Sequence, residues 1–213
     1  MLNAVVTMAF HPAGDEDDHE AIFTEYADSG GWVAIHLGQF AGVLIVLAGF
    51  LVLYRALRAE APHLSLLAAA AAVAAAATWA VLQAVDGVAL KQAVDTWADA
   101  SGTEEPIRFA DAETVRWLEW GVQSYVRLLF GLGLLLLGVA LVASRLVASW
   151  IGWLAALAGL LSAAIGVDVG YSGLDSDFQE VASPVFQLVV LAFVIGILVS
   201  GARRQDPLEA RSA

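Results

Sequence analysis

No cysteine occurs in the 213 residues. That absence removes disulfides, thiolate metal sites, iron–sulfur clusters and cysteine nucleophiles together. Short catalytic signatures are missing too. There is no His-Glu-x-x-His for a catalytic zinc, no Gly-x-Ser-x-Gly elbow, no phosphate loop, no glycine-rich dinucleotide fingerprint and no Cys-x-x-Cys-His for covalent haem. Positive charge is scarce. Ten Lys and Arg stand against 22 Asp and Glu, for a formal net charge of -12, and Lys91 is the sole lysine. So acidic a chain repels phosphate backbones, which excludes nucleic acid as a partner.

Apolar residues, by contrast, make up 60% of the chain, and the mean hydropathy is +0.74. An ordinary soluble domain is less apolar than this. The apolar residues fall in five runs, each long enough for the roughly 20 residues that cross a bilayer. The expected fold is therefore all-α: an integral membrane bundle of five transmembrane helices. The first span is expected from Trp32 to Tyr54, with aromatics at both ends as at membrane interfaces. The second is expected from Leu64 to Asp86, through an alanine-rich stretch. Its helical pattern continues outside the bilayer, because Leu90, Val94 and Trp97 recur at i, i+4, i+7.

Ser101-Gly102 and Pro106 should end that helix. Asp111 should cap the next one, which runs to Ala143 with Glu113 in its first turn. The fourth span is expected from Trp150 to Val167. The fifth is expected from Pro184, capped by Ser183, to Ser200. Gly152, Gly159 and Gly166 repeat at heptad spacing in the fourth, with Ala155, Ala156 and Ala163 between them. Small residues on one face let membrane helices approach closely, so this face is expected to be a packing surface.

The loops alternate in charge. Arg55 and Arg58 follow the first span, Arg145 the third, and Arg203, Arg204 and Arg211 the fifth, while the other loops are acidic. Lys and Arg collect on the cytoplasmic side, so the N-terminus is expected outside and the C-terminus inside the cytoplasmic (plasma) membrane. The chain divides into an acidic extracytoplasmic segment (1–31), a transmembrane bundle (32–201) and a basic cytoplasmic tail (202–213). The apolar stretch Leu2 to Phe10 is too short to cross a bilayer. A start upstream of Met1 would extend it into a sixth span and move the N-terminus inside. The run Asp15-Glu16-Asp17-Asp18-His19-Glu20 reads as an open, solvated loop, because like charges in sequence repel.

Polar groups gather toward the outer half. His36 and Gln39 lie below Trp32; Gln83 and Asp86 end the second span; Arg116, Glu119, Gln123 and Arg127 form a stripe at i, i+3, i+7, i+11. Asp168 and Tyr171 end the fourth span, and Gln187 lies about one turn inside the fifth. Ionisable groups near a bilayer are costly and need partners. The natural pairs are Arg127 or Arg116 with Asp86 or Glu119, and His36 with a carboxylate. The candidate ligand-binding cluster is His36, Gln39, Asp86, Arg116, Glu119, Gln123, Arg127 and Asp168. Each has a plainer reading: Arg127 snorkelling to the interface, Arg116 and Glu119 as a surface pair, Asp86 as a span end, His36 as a structural histidine. His11, His19 and His36 are weak metal candidates, because no compact ligand motif holds them together.

The runs WVAIHLGQFAGVLIVLAGFLVLYRAL, LQAVDGVALKQAVDTWA and AETVRWLEWGVQSYVRLLFGL resemble segments of uncharacterised multi-pass membrane proteins of actinobacterial type, over about residues 32–175. The chain is also similar to a broader family of unknown-function domains built as short helical bundles. Their members often begin with a membrane helix that ends before a His-Pro such as His11-Pro12. The resemblance implies a place in the cytoplasmic membrane and carries over no site residue. The leading expectation is a non-enzymatic membrane protein whose outward-facing polar pocket takes a small ligand, a lipid head or a protein partner. One rival is a transporter or channel component, which needs polar groups along its whole path, and the inner half lacks them. The other is a metal- or haem-dependent membrane enzyme using His36, Asp86 and Glu119. Cofactor and oligomeric state stay open at this point.

Overall fold

The computed structural model describes Glu16 and residues 18–204, with side chains to residue 201. Six helices make up the described fold: α1 (His19–Asp28), α2 (Trp32–Leu57), α3 (Pro62–Ala98), α4 (Glu105–Ser144), α5 (Ser149–Ser172) and α6 (Asp177–Arg204). No strand occurs among the described residues. All but α1 are long and apolar enough to cross a membrane. The protein is an all-α, multi-pass membrane protein.

The five long helices stand in a row. α4 packs most extensively on α5 and next on α3, while α2 flanks α3 and α6 flanks α5. α2 and α6 leave apolar faces exposed, including Leu37, Ile45 and Val52 on one and Leu188, Ile195 and Leu198 on the other. Lipid covers such faces in a bilayer, so their exposure carries no hydrophobic penalty there.

The α4–α5 contact has the small residues to make it. A Cβ on Gly159 would lie 2.5 Å from the Leu135 amide and 2.6 Å from the Gly131 carbonyl, so the backbones touch where only glycine fits. Gly152 and Gly166 meet α4 in the same way. The expected packing face is thus real, and its partner is α4. Ser124 Oγ donates to the Gly166 carbonyl (2.7 Å) and Ser162 Oγ to the Arg127 carbonyl (2.9 Å), adding hydrogen bonds across the seam.

α3 has 37 residues and α4 has 40. At 1.5 Å per residue these are roughly 55–60 Å long, about twice the hydrocarbon thickness. Both project past the bilayer, as the continued pattern at Leu90, Val94 and Trp97 predicts. α1 packs on those projections. Ile22, Phe23 and Tyr26 are fully buried against Trp32, Leu90, Val94 and Ala112. Lys91 Nζ donates to the Ala27 carbonyl (3.1 Å), which secures the last turn of α1.

Several expected boundaries move. The acidic run is no open loop at its C-terminal end: Asp18 caps α1 by accepting from the Ala21 amide, and Glu16 forms an ion pair. Asp111 lies inside α4, which starts six residues earlier with Pro106 in its first turn. Pro106 therefore opens a helix rather than ending one, because proline lacks only an amide that a first turn leaves free anyway. Pro184 falls inside α6, which begins at Asp177, where Ser176 Oγ accepts from the Gln179 amide. Residues 1–15, with His11 and the Leu2–Phe10 stretch, and the tail from 205, with Arg211, lie outside the described residues.

Candidate functional site

Two tryptophans, one tyrosine and a helix end shape a groove at the α1 end of the bundle. It has a volume of about 530 Å³ and is lined by His19, Trp117, Trp120, Gly121 and the last turn of α5, Val169 to Gly173. Trp117 and Tyr171 are largely exposed, Tyr171 at 91%. His19 fixes one wall: its Nδ1 lies 2.9 Å from Glu113 Oε1, and its ring meets Trp120 edge-on at 5.5 Å. Trp120 Nε1 is buried, with no hydrogen-bond partner among the described residues. The α5 end contributes the negative pole of its helix dipole. Among the described residues, no lysine or arginine lines the groove.

Beside it, beneath α1, lies a buried ion network. Arg116 is 1% and Glu119 3% exposed. Arg116 Nη1 donates to Glu119 Oε2 (2.6 Å), and its Nη2 donates to Glu16. The Tyr26 hydroxyl also donates to Glu16, at 2.9 Å. The guanidinium sits over the rings of Tyr26 (5.7 Å) and Trp120 (5.6 Å), where a cation gains from the π faces. Burial pushes the Tyr26 phenol up from its ordinary value, and the nearby Glu16 carboxylate adds to the shift. The hydroxyl therefore stays a donor.

A second pair adjoins this one. His36 Nδ1 lies 2.8 Å from the Trp32 carbonyl and Nε2 lies 2.9 Å from Asp86 Oδ2. Both neighbours are acceptors when the acid is ionised, so the pair holds one proton beyond the one on Nδ1. Trp32 Nε1 donates to the Asp86 carbonyl at 3.0 Å. The geometry depends on local winding. Residues Val85–Leu90 form a π-helical turn within α3, and Asp86 lies in it. Such turns insert a residue and re-aim side chains, often at functional sites. Gly87 then lets α2 close in, since a Cβ there would come within 2.8 Å of His36 Cβ. Gln83 closes the cluster: in the amide orientation that satisfies both ends it donates to the His36 carbonyl (2.7 Å) and accepts from Trp79 Nε1 (3.0 Å). Gln39 is buried beside it.

Five of the eight candidate residues thus meet: His36, Gln39, Asp86, Arg116 and Glu119. They form a filled network rather than an open pocket, and none of them lines the groove. The expected alternatives resolve as Arg116 with Glu119 and His36 with Asp86. Asp168 stands apart at the α5–α6 corner, where it accepts from Ser176 and from Gln179 Nε2 (2.7 Å). Gln123 is half-buried and joins neither group, and Gln187 is exposed. Arg127 is half-buried with its guanidinium 5.9 Å from the Phe186 ring centroid, and among the described residues it forms no ion pair. His36 has both ring nitrogens engaged, so an axial-ligand role would first require breaking one of these hydrogen bonds, most directly the one to Asp86. Sequence reasoning missed Trp117, Trp120 and Gly121 as groove residues. The cue available was a Trp-x-x-Trp spacing at the projecting end of a membrane helix.

The sequence pattern of a domain of unknown function, DUF4386, matches residues 4–201, nearly the whole chain. The chain belongs to the DUF4386 family. The expected kinship with an uncharacterised family is thereby shown. Neither a curated protein nor a solved structure matches this DUF4386 chain.

Proposed function

We propose that this DUF4386 protein is a non-enzymatic binding protein of the cytoplasmic membrane, and that the groove at its α1 end receives the ligand. One observation supports this most: a groove of about 530 Å³, walled by Trp117, Trp120 and the end of α5, opens beside a buried ion network whose charges are already matched. The network acts as scaffold and the groove as site. In this reading the expected polar pocket is moved from the charged cluster to the neighbouring aromatic groove. The α1 end faces outward, because Arg55, Arg58, Arg145, Arg203 and Arg204 cluster at the other end. The seam between α4 and α5, closed by backbone contact, supports binding over passage.

Filling the groove tests the reading. Nothing lies within 4 Å of a Cβ at Gly121, so Gly121→Trp places a ring in the groove without disturbing the backbone. The wild-type protein, purified in mild detergent, should carry a small molecule detectable by native mass spectrometry, and Gly121→Trp should lose it while eluting unchanged from a sizing column. Equal retention by both proteins would exclude the groove as the site.

A further inference from the structure

Arg127 is the one side chain of the polar stripe whose charge the fold leaves unmatched among the described residues. An unpaired guanidinium at the edge of the apolar layer is costly, and a counter-charge from outside the protein within its reach would lower that cost. Its depth identifies where that charge comes from. Arg127 stands 17 residues from Ser144, the far end of α4, roughly 26 Å at 1.5 Å per residue. A hydrocarbon core of about 30 Å therefore places it next to the headgroup layer on the α1 side. Gly170 at the groove lies 20 residues beyond Trp150, close to the same level.

Access and direction agree. α4 and α6 both pack on α5 but scarcely on each other. Phe186 of α6 reaches across that crevice to Arg127. Side chains on a helix tilt toward its N-terminus, and the N-terminus of α4 is at the α1 end. Arg127, seven residues beyond Trp120 and so on the same helical face, therefore leans up toward the groove. The groove itself suits the opposite charge. It offers the faces of Trp117 and Tyr171 and the carbonyl end of α5, with His19 held against Glu113 and, among the described residues, no lysine or arginine. Aromatic faces and helix C-termini both attract ammonium groups.

We infer that Arg127 and the groove together hold the headgroup of a zwitterionic phospholipid, with the phosphodiester on Arg127 and the ammonium among Trp117, Tyr171 and the end of α5. This rests on the groove being the binding site and names its occupant. Arginine suits the phosphate because its planar fork bonds two oxygens at once. A bilayer lipid is favoured over a soluble phosphate ester because Arg127 faces the crevice at headgroup depth, where the acyl chains can lie between α4 and α6.

The test uses the full-length protein stripped of lipid in detergent, then offered phosphatidylethanolamine, phosphatidylglycerol or diacylglycerol, with retention read by native mass spectrometry. Phosphatidylethanolamine should be retained about ten-fold better than diacylglycerol, the scale of one charge-assisted hydrogen-bond set. Arg127→Gln should erase that preference and Arg127→Lys should restore part of it, with both variants eluting as the wild type does. Retention of phosphatidylglycerol equal to that of phosphatidylethanolamine overturns the ammonium assignment. An unchanged preference in Arg127→Gln overturns the phosphate assignment, and if Gly121→Trp still loses its ligand, the groove reading survives that failure. Displacement of bound lipid by an equimolar amount of soluble glycerophosphoethanolamine overturns the assignment to a bilayer lipid.

Discussion

Arg116 concentrates the chemistry of the α1 end in one side chain. It bridges Glu16 of the N-terminal segment and Glu119 of its own helix, and it lies over two aromatic rings. Removing one member of a buried ion network leaves the others charged and unpaired, which costs about 3–5 kcal/mol, whereas replacing the set by apolar groups of similar volume is often neutral. Arg116→Met should therefore lower the thermal unfolding midpoint in detergent markedly, and Arg116→Met with Glu119→Leu and Glu16→Leu should recover most of the loss. A triple variant no more stable than the single one would show that the network's worth lies in its charges rather than in its volume.

At the scale of elements, two devices position everything else. One is the glycine seam of α4 and α5; the other is the π turn at Val85–Leu90, which carries Asp86 to His36. The seam admits no side chain, since a Cβ on Gly159 already falls within 2.6 Å of backbone atoms. Gly159→Leu should separate the helices, break the Ser162–Arg127 bond one turn away and cost several kcal/mol in overpacking, beyond the usual 1–3 for an extra methylene or two. A thermal midpoint unchanged from wild type would show that the seam is dispensable. The π turn changes how α3 must be read, because one extra residue rotates everything beyond it by about 100°. That rotation lets Leu90 and Val94 bury under α1 while Asp86 faces α2.

For the whole molecule, the five long helices form a row with lipid-facing flanks, and all the chemistry lies at one end. Orientation is testable cleanly because the chain has no cysteine. A single cysteine at the exposed Asp99, in the α3–α4 turn, should react with a membrane-impermeant maleimide on intact cells, and one at Arg145 should react only after lysis. The reverse pattern would turn the protein over and put the groove in the cytoplasm.

Much of this architecture is a local property of the chain, and the sequence by itself determined it. Hydropathy sums over a window, so five spans were legible from Trp32 to Ser200, and so were the projecting end of α3 at Trp97 and the small-residue face of α5. Helix ends were less legible: Pro106 and Pro184 look alike in sequence, yet one opens a helix and the other lies within one. The tertiary structure alone decided which polar groups meet. Partners such as Glu16 and Arg116 are 100 residues apart, and no window spans them. Helix rotation, the π turn and the docking of α1 then sorted eight polar candidates into a filled network of five, a separate corner at Asp168, one unmatched arginine, and Gln123, which joins neither group. The groove formed between surfaces that only packing brought together, so its residues share no pattern along the chain.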